Sequence, residues 1–210
     1  MHVIPNFVDA GRIHPADRLT PYRRELGIGD EPVVLYAGNV GFSQPLSLLL
    51  DAARRLPHVT FLINGEGSRL AELRDEAAGL ANVRFGGYLP EGRLVELLAT
   101  GDIHVVALHR GLAHVSVPSK TYSTLAAGRP LVASIDAGTA VPALLAESGG
   151  GVSVAPDDAD ALTTAVAALV DDPVGAAEMG RRGRQWVLAA ASPGAVAEAY
   201  AALIERLAGR

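Results

Sequence analysis

The stretch VPSKTYSTLAAGRP, residues 117–130, holds the only lysine of a 210-residue chain that otherwise carries 17 arginines. A compact ammonium and a guanidinium fork are not interchangeable at a tight site, so this choice singles out Lys120. Ser119 stands where a helix N-cap would, and Lys120 with Thr121 would form the first turn. Such a helix start offers unpaired N–H groups, hydroxyls and a positive dipole end, to which Lys120 adds a full charge. Together these make a candidate diphosphate cradle, although the glycines that precede the lysine of a Walker A loop are missing. A capped helix with a surface lysine would read the same way.

Three glycine turns could complete the site. In GNVGFSQP, residues 38–45, Gly38 and Gly41 flank Asn39 and would let a ligand approach the backbone closely. In NGEGS, residues 64–68, Gly65 opens a second turn, and in GGYLP, residues 86–90, a flat base could lie beside Tyr88 and Leu89. Each also fits a ligand-free turn, and none has the G-x-G-x-x-G spacing of a dinucleotide site. His109 and His114 flank the loop before Lys120 and could touch a substrate, though lone loop histidines are commonly solvated. Asp157, Asp158 and Asp160 head a helix, where dipole capping accounts for them. The sequence contains no G-x-S-x-G elbow, no H-E-x-x-H helix and no carboxylates at metal spacing.

These loops need a scaffold, and the chain supplies one. Short β-rich runs fall at residues 32–38, 58–64, 82–89, 102–108, 130–134 and 150–156, each followed by an amphipathic stretch. Ser68 is expected to cap the helix of residues 68–80, Pro90 to open the next, and Gly128 to end the one containing Lys120. Six strands alternating with helices imply an α/β fold: a doubly wound, Rossmann-like parallel sheet with helices on both faces, followed by C-terminal helices. In such sheets ligands bind beyond the C-terminal strand ends, where these loops lie. Residues 1–30 are turn-rich and read as a linker. In the last helix Val196, Tyr200, Leu203 and Leu207 form one apolar face.

The formal net charge of -5 argues against a general nucleic-acid binder, so any anion must be held locally. Without cysteine there is no disulfide framework. No apolar run approaches the roughly 20 residues that span a bilayer, and a cytoplasmic location is expected.

VIPNFVDAGRIHP, LYAGNVGFSQPLSLLLDAA, FLINGEGSRLAEL, NVRFGGYLP, VPSKTYSTLAAGRPLVAS and GGGVSVAPDDADAL occur in one order. That order resembles the C-terminal, donor-binding half of retaining GT-B glycosyltransferases of family four, in a subgroup that builds surface polysaccharides. The resemblance implies a UDP- or GDP-sugar donor site in residues 31–191, with residues 1–30 as an interdomain linker. Residues 192–210 would form a helix crossing back to an N-terminal acceptor-binding domain, in the same chain or a separate subunit. It implies that Gly38, Asn39, Gly41, Ser119, Lys120 and Thr121 meet the donor diphosphate and sugar. Gly65, Tyr88, Leu89 and Ser123 would meet the nucleoside, and His109 and His114 the sugar. It implies no metal and no cofactor, and membrane contact through the other half. Many relatives carry glutamates where this chain has Val115 and Ser123. An epimerase-like enzyme of the same fold, or a non-catalytic nucleotide-binding module, are the alternatives.

Overall fold

The computed structural model describes residues 3–208, and in it each β-rich run becomes one strand of a single parallel sheet. The strands are β1 (Val33–Ala37), β2 (Thr60–Asn64), β3 (Val83–Gly86), β4 (Ile103–Ala107), β5 (Leu131–Ser134) and β6 (Gly151–Val154). Their order is β3-β2-β1-β4-β5-β6, with every pairing parallel. β2, β4 and β5 are buried along their whole length, which is why their sequences read as continuous apolar runs rather than alternating ones.

Helices cover both faces, as crossovers between parallel strands require. On one face α2 (Ser47–Arg55), α3 (Leu70–Glu76) and α7 (Ala159–Asp171) pack Leu49, Leu50, Leu73, Leu162 and Val166 against Val34, Phe61 and Val105. The other face is covered by α4 (Leu94–Thr100), α5 (Lys120–Ala126), α6 (Ala140–Ser148) and α8 (Pro173–Ala190). There Leu98, Leu125, Val141, Leu145 and Val187 pack on Val106, Leu131 and Ala133. A full Leu or Val burial of this kind is worth about 1.5–3 kcal/mol, so the faces fix which way each loop leaves the sheet.

Two helix starts differ from the sequence expectation. Ser68 caps nothing: it lies in a turn, and α3 begins at Leu70. Pro90 leads first into a short 3₁₀ turn, Glu91–Arg93, before α4. Gly128 does end α5, with φ 70° in the left-handed region.

The turn-rich N-terminal segment holds only α1 (Pro21–Glu25) but is packed onto the sheet, with Val8, Ala10, Ile13, Tyr22 and Ile28 buried. Arg23 is almost wholly buried and donates to Asp102 at 2.5 Å and to the Thr100 carbonyl at 3.0 Å. Arg18 donates to Asp102 at 2.6 Å, and the Val33 N–H at 2.8 Å. Burial alone would push the Asp102 carboxyl up; these donors and the two guanidiniums hold it below its usual range. At the other end α9 (Pro193–Ala208) buries Val196 and leaves Tyr200, Ile204 and Leu207 exposed. Among the described residues no single helix is long and apolar enough to cross a membrane.

Candidate functional site

The crossovers run in opposite directions from β1 and β4, which lie side by side, so a crevice opens beyond their C-terminal ends. The glycine loop leaves β1 there, and the loop of residues 108–119 leads from β4 into α5. Three cavities line up along this edge. The first, about 270 Å³, is walled by Gly38, Asn64, Tyr88, Leu89, Lys120 and Ser123. The second, about 210 Å³, is walled by Tyr36, Gln44, Leu108, Ser116, Ser119 and Lys120. The third, about 230 Å³, includes Gly41, Gln44, Arg69, His109 and Asp157. Lys120 belongs to the first two and Gln44 to the last two, so the three form one row.

Lys120 occupies its place because Gly38 has no side chain. Gly38 has φ 147°, and a Cβ built on it would land on Cε and Nζ of Lys120. The ammonium lies 5.5 Å from the Tyr36 ring centroid, a cation–π contact worth about 0.5–1 kcal/mol. The Tyr36 hydroxyl donates to the Asn39 carbonyl at 2.6 Å and so ties the glycine loop down; burial drives this phenol's pKa up. Burial also lowers the Lys120 pKa, and among the described residues no charge or hydrogen bond offsets it. Glu91 is the one carboxylate lining the first cavity, and Arg12 holds it at 2.7 Å. The row thus contains a half-buried cation without an anion.

The loops after β1 and β2 run backbone to backbone. Gly38 N–H donates to the Asn64 carbonyl and Val40 N–H to the Glu66 carbonyl, both at 2.8 Å. Cβ atoms on Gly65 and Gly67 would land on the carbonyl oxygens of Gly38 and Val40. Gly65 therefore supports the glycine loop from behind and lines none of the three cavities, contrary to the nucleoside contact expected of it. Gln44 Oε1 accepts from Gly41 N–H at 3.2 Å and from the exposed Asn39 amide at 3.4 Å.

Under the first cavity, His104 is fully enclosed. Its Nε2 lies 2.9 Å from the Leu98 carbonyl and its Nδ1 3.0 Å from the Thr124 hydroxyl. A carbonyl only accepts, so Nε2 carries the proton and Nδ1 accepts from Thr124. Burial lowers this imidazole's pKa to about 4, which keeps it neutral.

Two more expectations need correction. Ser119 precedes α5, but its own backbone is already helical (φ -61°, ψ -25°), so its hydroxyl caps no N–H. Thr121 is completely buried and its hydroxyl has no partner among the described residues; it faces the packed interior, not the crevice. Tyr88, Leu89 and Ser123 do line the first cavity, and Val115 is exposed. His114 is exposed on a 3₁₀ turn, Leu112–His114, away from all three cavities.

His109 is differently placed, and the sequence reading missed its partner. Its Nδ1 lies 2.6 Å from Asp157 Oδ1, while Asp157 Oδ2 accepts from Arg110 N–H at 3.0 Å. Asp158 is the N-cap of α7, donating nothing and accepting from Ala161 N–H at 2.8 Å; Asp157 precedes it and reaches back across the crevice. With φ 59°, Asp157 is the one non-glycine in the left-handed region among the described residues. An Asp two residues before a helix, where such a φ is tolerated, was the available signal.

The family model described as glycosyl transferases group 1 matches residues 31–172. A glycosyl transferase named for colanic acid biosynthesis, WcaI of Escherichia coli, is 34% identical over 170 residues, covering 77% of this chain and 42% of its own length. The chain thus spans less than half of that relative. Among solved structures, Alr3699/HepE of Anabaena in complex with UDP-glucose superposes with a TM-score of 0.80 at 19% identity, over 98% of this chain and 57% of that one. The C-terminal domain of the group 1 glycosyl transferase LpcC of Francisella tularensis superposes with a TM-score of 0.73 at 18% identity, over 89% of this chain and 99% of that one.

Proposed function

Because the chain belongs to the glycosyl transferases group 1 family, we propose that it is the donor-binding half of a retaining glycosyltransferase that uses a UDP- or GDP-sugar. One observation carries this reading: the half-buried ammonium of Lys120, without an anionic partner, at the junction of the first two cavities. The base lies against Tyr88 and Leu89, and Ser123 offers one hydroxyl to the ribose. The diphosphate reaches Lys120 in the second cavity, and the sugar extends toward Gln44 and His109. As the bond to the sugar breaks, negative charge grows on the departing diphosphate. A cation already fixed beside it stabilises that charge without reorganisation, and oxyanion stabilisation of this kind is worth about 2.7–4 kcal/mol per donor. The proposal assigns that work to Lys120 and to no metal ion. A saccharide or lipid-linked acceptor is presented by an N-terminal domain or a separate subunit, since transfer needs both substrates juxtaposed. WcaI's name and the UDP-glucose bound by Alr3699/HepE support the polysaccharide setting and the donor class.

The test is calorimetric titration of the chain with UDP and with GDP, with and without EDTA. Wild type binds one of them equally well in EDTA, and Lys120→Ala weakens that binding about 10- to 100-fold, the loss expected for one charge-assisted contact. Binding of neither nucleotide, or none of the loss in the variant, overturns the reading. Donor hydrolysis or transfer by a protein that includes the acceptor half separates an enzyme from a non-catalytic module.

A further inference from the structure

The residue that would hold the diphosphate is also the only side-chain amine in the chain, and an amine does chemistry that the 17 guanidiniums do not. Three features of its surroundings favour that chemistry. Lys120 lines both the first and second cavities, so its side chain borders space that a small solute can enter. The groups lining those cavities beside it, such as Asn64, Gln44, Ser116 and Ser123, are neutral, and Glu91 is held by Arg12. No carboxylate pins the nitrogen as an ammonium, and burial favours its uncharged, nucleophilic form. Two cavities that meet at such an amine admit a small solute in which a phosphate is joined to an electrophilic carbonyl.

We propose that Lys120 is an acylation site for acyl phosphates, and that acylation switches the donor site off. The inference rests on the donor-site reading for its consequence but not for the reaction. The uncharged Nζ attacks the acyl carbon, a C–N bond forms, and the C–O bond to phosphate breaks. The proton lost from nitrogen leaves with the phosphate as hydrogen phosphate, and the product is an amide. Acylation removes the one charge at the junction of the cavities and places an acyl group where the diphosphate would lie. The device links donor use to the supply of acyl phosphate without a second protein.

The experiment uses acetyl phosphate as the probe. The chain, and a free peptide of residues 117–123, are each treated with it, and acetylation is followed by intact mass and peptide mapping. Lys120 of the folded chain is expected to react about tenfold faster than the same lysine in the peptide, a modest gain beside the effective molarities that binding can supply. UDP or GDP, whichever binds, suppresses the reaction, and the acetylated chain loses nucleotide binding at least tenfold. Lys120→Arg removes the fast-forming adduct and identifies its position. A rate no faster than the peptide's overturns the proposal, as does an acetylated chain that still binds nucleotide normally. If Lys120 reacts fast but no nucleotide binds or protects, the acylation site stands, while the donor-site reading and the switch both fall. If nucleotide binds and Lys120 does not react, the reverse holds.

Discussion

Lys120→Met separates a lysine kept for a ligand from one kept for the fold. The substitution retains an unbranched chain that can lie in the groove left by Gly38 and removes only the charge. In the free protein the ammonium is half-buried without an anion, so its loss relieves a desolvation cost. Relief of this sort commonly gives about 0.5–2 kcal/mol. Against it stands the contact with the Tyr36 ring, about 0.5–1 kcal/mol, which a methionine sulfur replaces in part. The net effect runs from about 0.5 kcal/mol of destabilisation to about 1.5 kcal/mol of stabilisation, and at this chain length 1 kcal/mol shifts Tm by about 2–4 °C. Nucleotide binding moves the other way, because a lost charge-assisted contact costs about 1.5–3 kcal/mol, or roughly 10- to 150-fold in Kd. Scanning calorimetry and titration of the same preparations measure both quantities. Bound diphosphate favours the charged amine, so wild-type affinity falls as pH rises through the lowered Lys120 pKa, a slope the methionine variant lacks. A Tm that drops by several degrees, or an unchanged Kd, would refute the reasoning.

Other outcomes follow from the same geometry. Gly65→Ala drives a methyl into the Gly38 carbonyl and forces an unfavourable φ, so urea unfolding should show a loss of about 2 kcal/mol or more, with weakened nucleotide binding. Asp157→Ala and Asp157→Gly both free His109 and Arg110, but only glycine also removes the left-handed strain. The alanine variant should be less stable by about 1 kcal/mol, and equal stabilities would show that the backbone there is relaxed. His104 takes up its proton near pH 6.5 when unfolded and near 4 when folded. The unfolded state therefore binds more protons across that window, and stability falls as pH drops through it, by up to about 3 kcal/mol. In urea titrations His104→Gln should lack this component of the pH dependence.

Much of the scaffold was legible because its signals are local. Every strand is a short apolar run closed by a turn, and their alternation with helices leaves few topologies open. The position of Lys120 beyond β4 followed from that. The errors concern what neighbouring chain segments do. Gly65 looks like any ligand loop glycine until the Gly38 carbonyl is found against it, and that contact spans two strands. Thr121 and Ser119 sit in one short turn, and which hydroxyl faces the crevice depends on α5's rotation against the sheet, set by Leu125 and Ala126. Asp157 meets His109 across 48 positions, a distance no spacing rule covers. The N-terminal segment is poor in regular structure, so its burial depends on Arg18 and Arg23 finding Asp102 just before β4.

That segment has a mechanical meaning. The Val8 N–H donates to the Ala191 carbonyl at 3.0 Å, at the end of α8 and just before α9. From Val8 onward the chain is clamped to the sheet, and from Ser192 onward α9 buries Val196 as its one fully enclosed side chain. Arg184 of α8 adds donations to the Ile13 carbonyl at 3.0 Å and the Ala10 carbonyl at 3.3 Å, so the path into the domain and the path out of it are tied together along one short seam. A pull on either end of the domain is therefore borne first by this seam, and the sheet behind it is spared.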